Sequence, residues 1–240
     1  MYDLDKTYFD KIDTAEKAYI LGFIFADGGI ARVNGISYRL DFTQHANGRD
    51  VLEFIRKQLG YAGPILYDQK SGNYVRDRLQ ISNRYLAEKL ERYGVVPNKS
   101  LILEKPKNLP NKFIGSFLRG LLDGDGSVGI YSINRTNTRG GMYFNGTENL
   151  LEWVRKQIRV HHKLYPKGKI FRLEISKQAD LLNAISMLST SPFGMERKNR
   201  IIEKLAAWLE KSPMKTRISK NPRKPNGQLS KRKSKKRSRD

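Results

Sequence analysis

Cysteine is absent from the 240 residues, which removes disulfide scaffolds, zinc fingers, iron–sulfur sites and thiol catalysis together. Acid is scarce: 24 Asp and Glu stand against 46 Lys and Arg, for a net charge of +22. Long apolar runs are missing too. The longest, Ala18 to Ala26, is about half of the ~20 residues a membrane span needs. Asp3, Lys6 and Asp10 leave no apolar stretch for a signal peptide at the start. What remains is 38 % hydrophobic and 10 % aromatic, enough to bury a core in one or two domains of the usual ~100–200 residues. A field this positive favours polyanions, nucleic acid above all.

Half of that charge sits at one end. Residues 211–240 hold 13 Lys and Arg against one acid, Asp240, a net +12; residues 1–210 carry 33 basic and 23 acidic residues, a net +10. Three prolines and five serines accompany the terminal run, a composition that stays disordered until a polyanion orders it. Its expected role is a non-specific phosphate-binding arm.

The rest of the chain is a duplication. Leu52-Glu53-Phe54-Ile55-Arg56-Lys57-Gln58 recurs as Leu151-Glu152-Trp153-Val154-Arg155-Lys156-Gln157, and Arg78-Leu79-Gln80-Ile81-Ser82 recurs as Arg172-Leu173-Glu174-Ile175-Ser176. Asp27-Gly28 pairs with Asp125-Gly126, and Lys99 with Lys198, at similar offsets. A shared period fixes architecture more firmly than local propensity does. Each copy reads helix, hairpin, helix, hairpin, helix. In the first, Asp13 with Glu16 suggests a capping box, Asn34-Gly35 a two-residue hairpin turn, and Tyr74 to Ile81 a strand. The expected fold is α+β: two pseudo-symmetric αββαββα repeats forming a saddle with antiparallel sheets. The divisions are 1–105, 106–210 with a closing helix, and the basic tail 211–240.

Every fourth residue along the first helix of each copy is small: Ala18, Gly22, Ala26 and Ser116, Gly120, Gly124. Glycine in a helix interior costs ~1 kcal/mol against alanine, so its repetition indicates two helices packed closely across a pseudo-twofold axis. Each helix ends in Asp-Gly. A carboxylate there faces the negative end of the helix dipole, so a positive group should offset it. Two such acids side by side make an oxygen-ligand site for divalent cations.

Ile20-Leu21-Gly22-Phe23-Ile24-Phe25-Ala26-Asp27-Gly28 and Leu118-Arg119-Gly120-Leu121-Leu122-Asp123-Gly124-Asp125-Gly126 resemble the two namesake motifs of the LAGLIDADG homing endonucleases, in the monomeric two-motif branch. Phe25 departs from the pattern at its first acidic letter. The resemblance spans about residues 13–200 and implies a site-specific endonuclease that hydrolyses both strands of a long asymmetric DNA target, leaving short 3′ overhangs. It implies Asp27 and Asp125 as ligands of two or three Mg2+ ions, with Mn2+ or Ca2+ substituting in binding and the carbonyls of Ala26 and Gly124 assisting. Lys99, Lys198 and Gln44 match catalytic positions, with Asn145 as the second copy's counterpart of Gln44. The implied partner is double-stranded DNA, bound by a monomer with no obligate protein partner and no membrane. The implied setting is cytoplasmic, in a bacterium, phage or archaeon, or organellar.

Strand alternation supplies the expected DNA-reading face. With Leu40, Phe42, Leu79, Ile81, Leu173 and Ile175 inward, the residues Arg39, Asp41, Thr43, Arg76, Arg78, Gln80, Arg172 and Glu174 point outward, joined by Arg32, Arg139 and Lys169. Donors and acceptors of this mixture suit major-groove edges. Gln80 against Glu174 at matching places makes the target asymmetric. Gly129-Ile130-Tyr131 lacks the partner motif of another nuclease class, His161-His162 lacks a third metal ligand, and no Walker loop or His-Glu-x-x-His occurs. Two alternatives share the fold: an RNA maturase acting on intron RNA, and a DNA-binding protein without catalysis.

Overall fold

Thr14, not Asp13, opens the first helix: its side chain accepts from the backbone N–H of Lys17 at 3.3 Å. Asp13 instead forms an ion pair with Lys17. The expected Asp13–Glu16 capping box is therefore replaced by a Thr cap one residue on. The computed structural model describes residues 2–33, 37–69, 75–97, 99–132, 134 and 137–211. Asn34-Gly35, Tyr74 and the basic tail from 212 onward lie outside them.

The first repeat comprises α1 (Ala15–Ala26), β1 (Gly28–Val33), β2 (Ser37–His45), α2 (Arg49–Gln58), β3 (Ile65–Gln69), β4 (Val75–Ser82) and α3 (Arg84–Arg92). The second comprises α4 (Ile114–Asp125), β5 (Ser127–Ser132), β6 (Thr138–Gly146), α5 (Glu148–Ile158), β7 (Leu164–Lys167), β8 (Ile170–Ile175) and α6 (Gln178–Leu188); α7 (Glu196–Lys211) follows. Both sheets are antiparallel, ordered β1-β2-β4-β3 and β5-β6-β8-β7. Equal order in both halves is the duplication expressed in space, and the whole is the expected two-repeat saddle.

Register sharpens the equivalences. Phe42 pairs with Leu79, and Phe144 with Leu173, so these four buried residues hold corresponding places. Counting from them, Gln44 corresponds to Gly146 and Thr43 to Asn145. The matching of Asn145 to Gln44 is thus off by one residue, which on a strand exchanges the faces.

Residues Ala18 to Ala26 of α1 are buried all round, as for a helix enclosed by protein on every side. α4 supplies one wall. A Cβ on Gly22 would lie 1.9 Å from the carbonyl oxygen of Phe117, and one on Gly120 would lie 2.0 Å from that of Tyr19. Phe117 packs edge-on against Phe25 and Trp153, and Tyr19 likewise against Phe54 and Phe193. Each aromatic group joins rings from both repeats, Phe25 with Phe117 and Trp153, and Tyr19 and Phe54 with Phe193. Among the described residues no helix is long and apolar enough to cross a membrane.

Candidate active site

α1 and α4 run in the same direction, so their C-terminal ends meet. A Cβ on Gly124 would lie 3.1 Å from the backbone nitrogen of Asp27. The small-residue stripe thereby brings Asp27 and Asp125 to one end of the helix pair. Asp27 is half-buried and Asp125 exposed. Burial, reinforced by the negative charge of Asp125, raises the Asp27 carboxyl from its ordinary 3.8 to about 6; donation from Gln44 and the charges of Lys198 and Lys99 act the other way. Gln44 Nε2 donates to Asp27 Oδ2. In the second repeat Gly146 offers no side chain, and Asn145 donates from Nδ2 to the backbone carbonyl of Asp125 at 2.7 Å.

The positive groups that the acids require are Lys99 and Lys198, and both are buried. Lys99 Nζ donates to the carbonyls of Phe25 at 2.9 Å and Ala26 at 2.8 Å. Lys198 Nζ donates to the carbonyls of Leu122, Asp123 at 2.7 Å and Gly126 at 2.9 Å. Each ammonium brings a charged donor to the carbonyl end of a motif helix, where on α4 the carbonyl of Leu122 also accepts from the N–H of Gly126. Burial lowers both amines from 10.5 to about 8; the opposing pull comes from Asp125 and Asp27 on Lys99, and chiefly from Asp123 on Lys198. A cavity of about 380 Å³ beside Asp125 is lined by Ala26, Lys99, Asn145 and Lys167. It sets the lysine of one repeat against the acid of the other.

A buried network went unread in the sequence. Asp123, 1 % exposed, accepts from Tyr19 Oη at 2.8 Å, Arg119 Nε at 3.1 Å and the backbone N–H of Met195 at 2.7 Å. Arg119 also donates to Asn199, which donates on to the carbonyl of Gly194. Gly194 makes room, since a Cβ there would strike the guanidinium. Asp50 of α2 accepts from the N–H of Glu196 at 2.7 Å, an acid at a helix N-terminus. Phe54 stacks on Phe193 with centroids 3.8 Å apart. Together these fix the first turn of α7, and with it Lys198, against both repeats. The i, i+4 spacing of Arg119 and Asp123 within an apolar helix was the available signal.

On the sheets, Arg39, Asp41, Thr43, Arg76, Arg78 and Gln80 share one face by register. Asp41 accepts from Arg39 at 2.9 Å and from Gln80 at 2.6 Å. On the second sheet Arg139 pairs with Glu174, while Arg172 lies 4.1 Å over the Tyr143 ring and donates to Asn145 Oδ1 at 3.2 Å. Arg32 does not belong to this set. It pairs with Tyr38, two residues along from the buried Ile30, so alternation puts it on the opposite face, 5.3 Å over the Tyr38 ring. Lys169, in the β7–β8 turn, lines a surface cavity with Leu101, Ile102, Thr147 and Phe171. Exposed Leu66, Tyr131 and Tyr165 stand opposite Arg78, Arg139 and Arg172; the charge-led sequence reading missed these apolar members.

This architecture is that of the LAGLIDADG homing endonucleases. The chain is similar to the I-LtrWI LAGLIDADG homing endonuclease bound to target DNA, with TM-score 0.61, 13 % identity, and coverage of 82 % of this chain and 90 % of that one. It is also similar to the LAGLIDADG meganuclease I-AabMI bound to uncleaved DNA, at 0.57, 16 %, 80 % and 89 %. For I-SmaMI bound to cleaved DNA the values are 0.59, 12 %, 83 % and 90 %. No family model and no curated protein matches the sequence. At these identities the likeness concerns the fold.

Proposed function

We propose that this protein is a monomeric, site-specific endonuclease that hydrolyses both strands of a double-stranded DNA target. One observation carries the reading: two carboxylates, one per repeat, share the end of a tightly packed helix pair whose carbonyls are already closed by two buried lysines. Asp27 gains proton affinity from burial and from Asp125, the signature of acids that a cation would relieve. Among the described residues no three His, Cys, Asp or Glu side chains cluster, so carbonyls, water and a DNA phosphate complete the coordination.

Asp27 and Asp125 fit magnesium as hard oxygen ligands, with the carbonyl of Gly124, which neither lysine engages, open to assist. The carbonyl of Ala26 already accepts from Lys99. Bound divalent ions supply water activation and neutralise charge on the leaving oxygen. Gln44 holds the Asp27 carboxylate in one orientation. The lysines place positive charge behind the scissile phosphates without being ligands. Division of the chain at 1–105 and 106–210 gives each strand its own acid, with short 3′ overhangs as the expected product. The unlike pair Gln80 and Glu174 reads an asymmetric site, and residues 211–240 grip phosphate without regard to sequence. The structural neighbours named above are described with DNA, in one case cleaved, which supports this choice of substrate.

The test is to select duplexes from a randomised pool by binding in Ca2+, then add Mg2+. Double-strand breaks at one position that vanish in Asp27→Asn and in Asp125→Asn support the reading. Tight binding with intact DNA at every Mg2+ concentration overturns it in favour of a binder without catalysis.

A further inference from the structure

We propose that Asn145 is a positioning residue that couples base recognition by the second sheet to the Asp125 half of the cleavage site. The inference rests on the endonuclease reading above. Asn145 and Arg172 are register partners on β6 and β8. Arg172 Nε donates to Asn145 Oδ1 at 3.2 Å, and Asn145 Nδ2 donates to the carbonyl of Asp125 at 2.7 Å. One carboxamide thus accepts from a groove-facing arginine and donates to the residue that carries the metal-binding carboxylate.

Arg172 is held twice, by this bond and by the Tyr143 ring 4.1 Å beneath it. With Nε engaged and one face stacked, its two terminal nitrogens form the fork that suits the O6 and N7 acceptors of guanine. Two hydrogen bonds link fork, carboxamide and carbonyl in series. A base that displaces the fork pulls on Asn145 and so on the last carbonyl of α4, whose own side chain is the acid. Supporting partners of this kind typically change metal affinity or activity by roughly 10- to 100-fold when removed.

The first repeat is built differently. Thr43 holds the place of Asn145, opposite Arg78, and its single hydroxyl lacks the reach and the separate donor and acceptor of a carboxamide. Asp27 is held through its carboxylate by Gln44 instead. The coupling therefore acts on one strand only, which distinguishes it from a general structural cap.

Two variants divide the relay. Asn145→Asp keeps the acceptor for Arg172 and removes the donor to Asp125. Asn145→Thr installs the side chain that this fold already tolerates at the matching place. On a duplex selected in Ca2+ and cut in Mg2+, with each strand end-labelled, Asn145→Asp should retain base preference while slowing one strand roughly 10- to 100-fold. Asn145→Thr should slow that strand and also relax preference at the Arg172 contact. If both strands slow alike, or preference survives in Asn145→Thr, the relay is overturned and the endonuclease reading stands. If the wild-type chain selects no sequence and cuts neither strand, the endonuclease reading falls and the relay with it.

Discussion

Lys99 donates to the carbonyl of Ala26 at 2.8 Å, so the helix that presents Asp27 is closed by an ammonium on its final carbonyl. Lys198 does the same for α4 one residue earlier, at Leu122 and Asp123, and adds Gly126 beyond the helix end. The two lysines are alike in kind and unlike in register: Lys99 reaches the last two carbonyls of α1, whereas Lys198 stops short of the last two of α4, which runs through Asp125.

Removing them takes a charged donor from the carbonyls at both helix ends, of which, among the described residues, only that of Leu122 keeps a backbone partner in the N–H of Gly126. Lys99→Met and Lys198→Met should each lower stability by about 1–3 kcal/mol. The sign of the pH effect follows from their lowered affinity for protons. Each amine titrates near 8 when folded and 10.5 when free, so between those values the unfolded chain binds more protons and stability rises with pH. Urea unfolding from pH 7.5 to 10.5 should show that rise in the wild type and less of it in each Met variant. An unchanged slope would remove the lysines from the explanation.

Asp27 behaves oppositely. Its carboxyl is raised from 3.8 to about 6, so the folded chain binds more protons across that window and loses stability as pH rises through it. In EDTA at pH 7.5, Asp27→Asn should melt higher than wild type, by an equivalent on the order of 1–3 kcal/mol, with the advantage gone below pH 4. Mg2+ should raise the melting temperature of the wild type and not of the variant. A variant no more stable than wild type in EDTA would show that burial and Asp125 do not penalise the charged Asp27 carboxylate.

Gly22 and Gly120 face backbone rather than side chains across the helix pair, and backbone cannot turn aside. Gly22→Ala or Gly120→Ala should therefore cost about 1–3 kcal/mol or more despite alanine's better helix propensity. Gly29→Ala, with nothing within 4 Å of the added carbon, is the control and should stay near neutral. Equal unfolding midpoints for all three would mean that the helices can separate without penalty.

The stripe Gly22, Gly120, Gly124 was legible in the sequence because helical spacing puts every fourth residue on one face. The strand pattern was legible because Phe42, Leu79, Phe144 and Leu173 alternate with charge. The location of the two acids followed from those periodicities. The first helix boundary was not legible, since Asp13 and Thr14 are both good caps and only tertiary placement chose between them. Nor was the side of Arg32, which depends on counting from a paired residue across the sheet. The hidden part is Asp123. Its partners Tyr19, Arg119 and Met195 lie up to 104 residues from it in the chain, and no local period records a meeting of α1, α4 and the segment entering α7.

That meeting has its own prediction. Leu21 and Phe25 hold in the first repeat the places that Arg119 and Asp123 hold in the second, so the fold accommodates apolar residues there. Asp123→Ala alone strands a guanidinium that is 5 % exposed and should cost about 3–5 kcal/mol. Arg119→Leu combined with Asp123→Leu removes both charges and should cost less than Asp123→Ala. A double-mutant cycle by chemical unfolding measures the coupling; additive losses would show that the pair is not acting as a unit.

Residues 212–240 carry twelve Lys and Arg against Asp240, a net +11, with no apolar pattern to read a base edge. Charge of that kind releases counterions from any phosphate backbone, each contact adding up to about 0.9 to the slope of log affinity against log salt on duplex DNA. Truncation after Lys211 should lower affinity for the selected target and for unrelated duplex by similar factors, and flatten the salt dependence of both. The bond that is cut should not move, because Asp27, Asp125 and the two sheets are untouched. A loss confined to the selected target, with binding to unrelated DNA unchanged, would refute the arm as a non-specific one and assign it a share in sequence recognition.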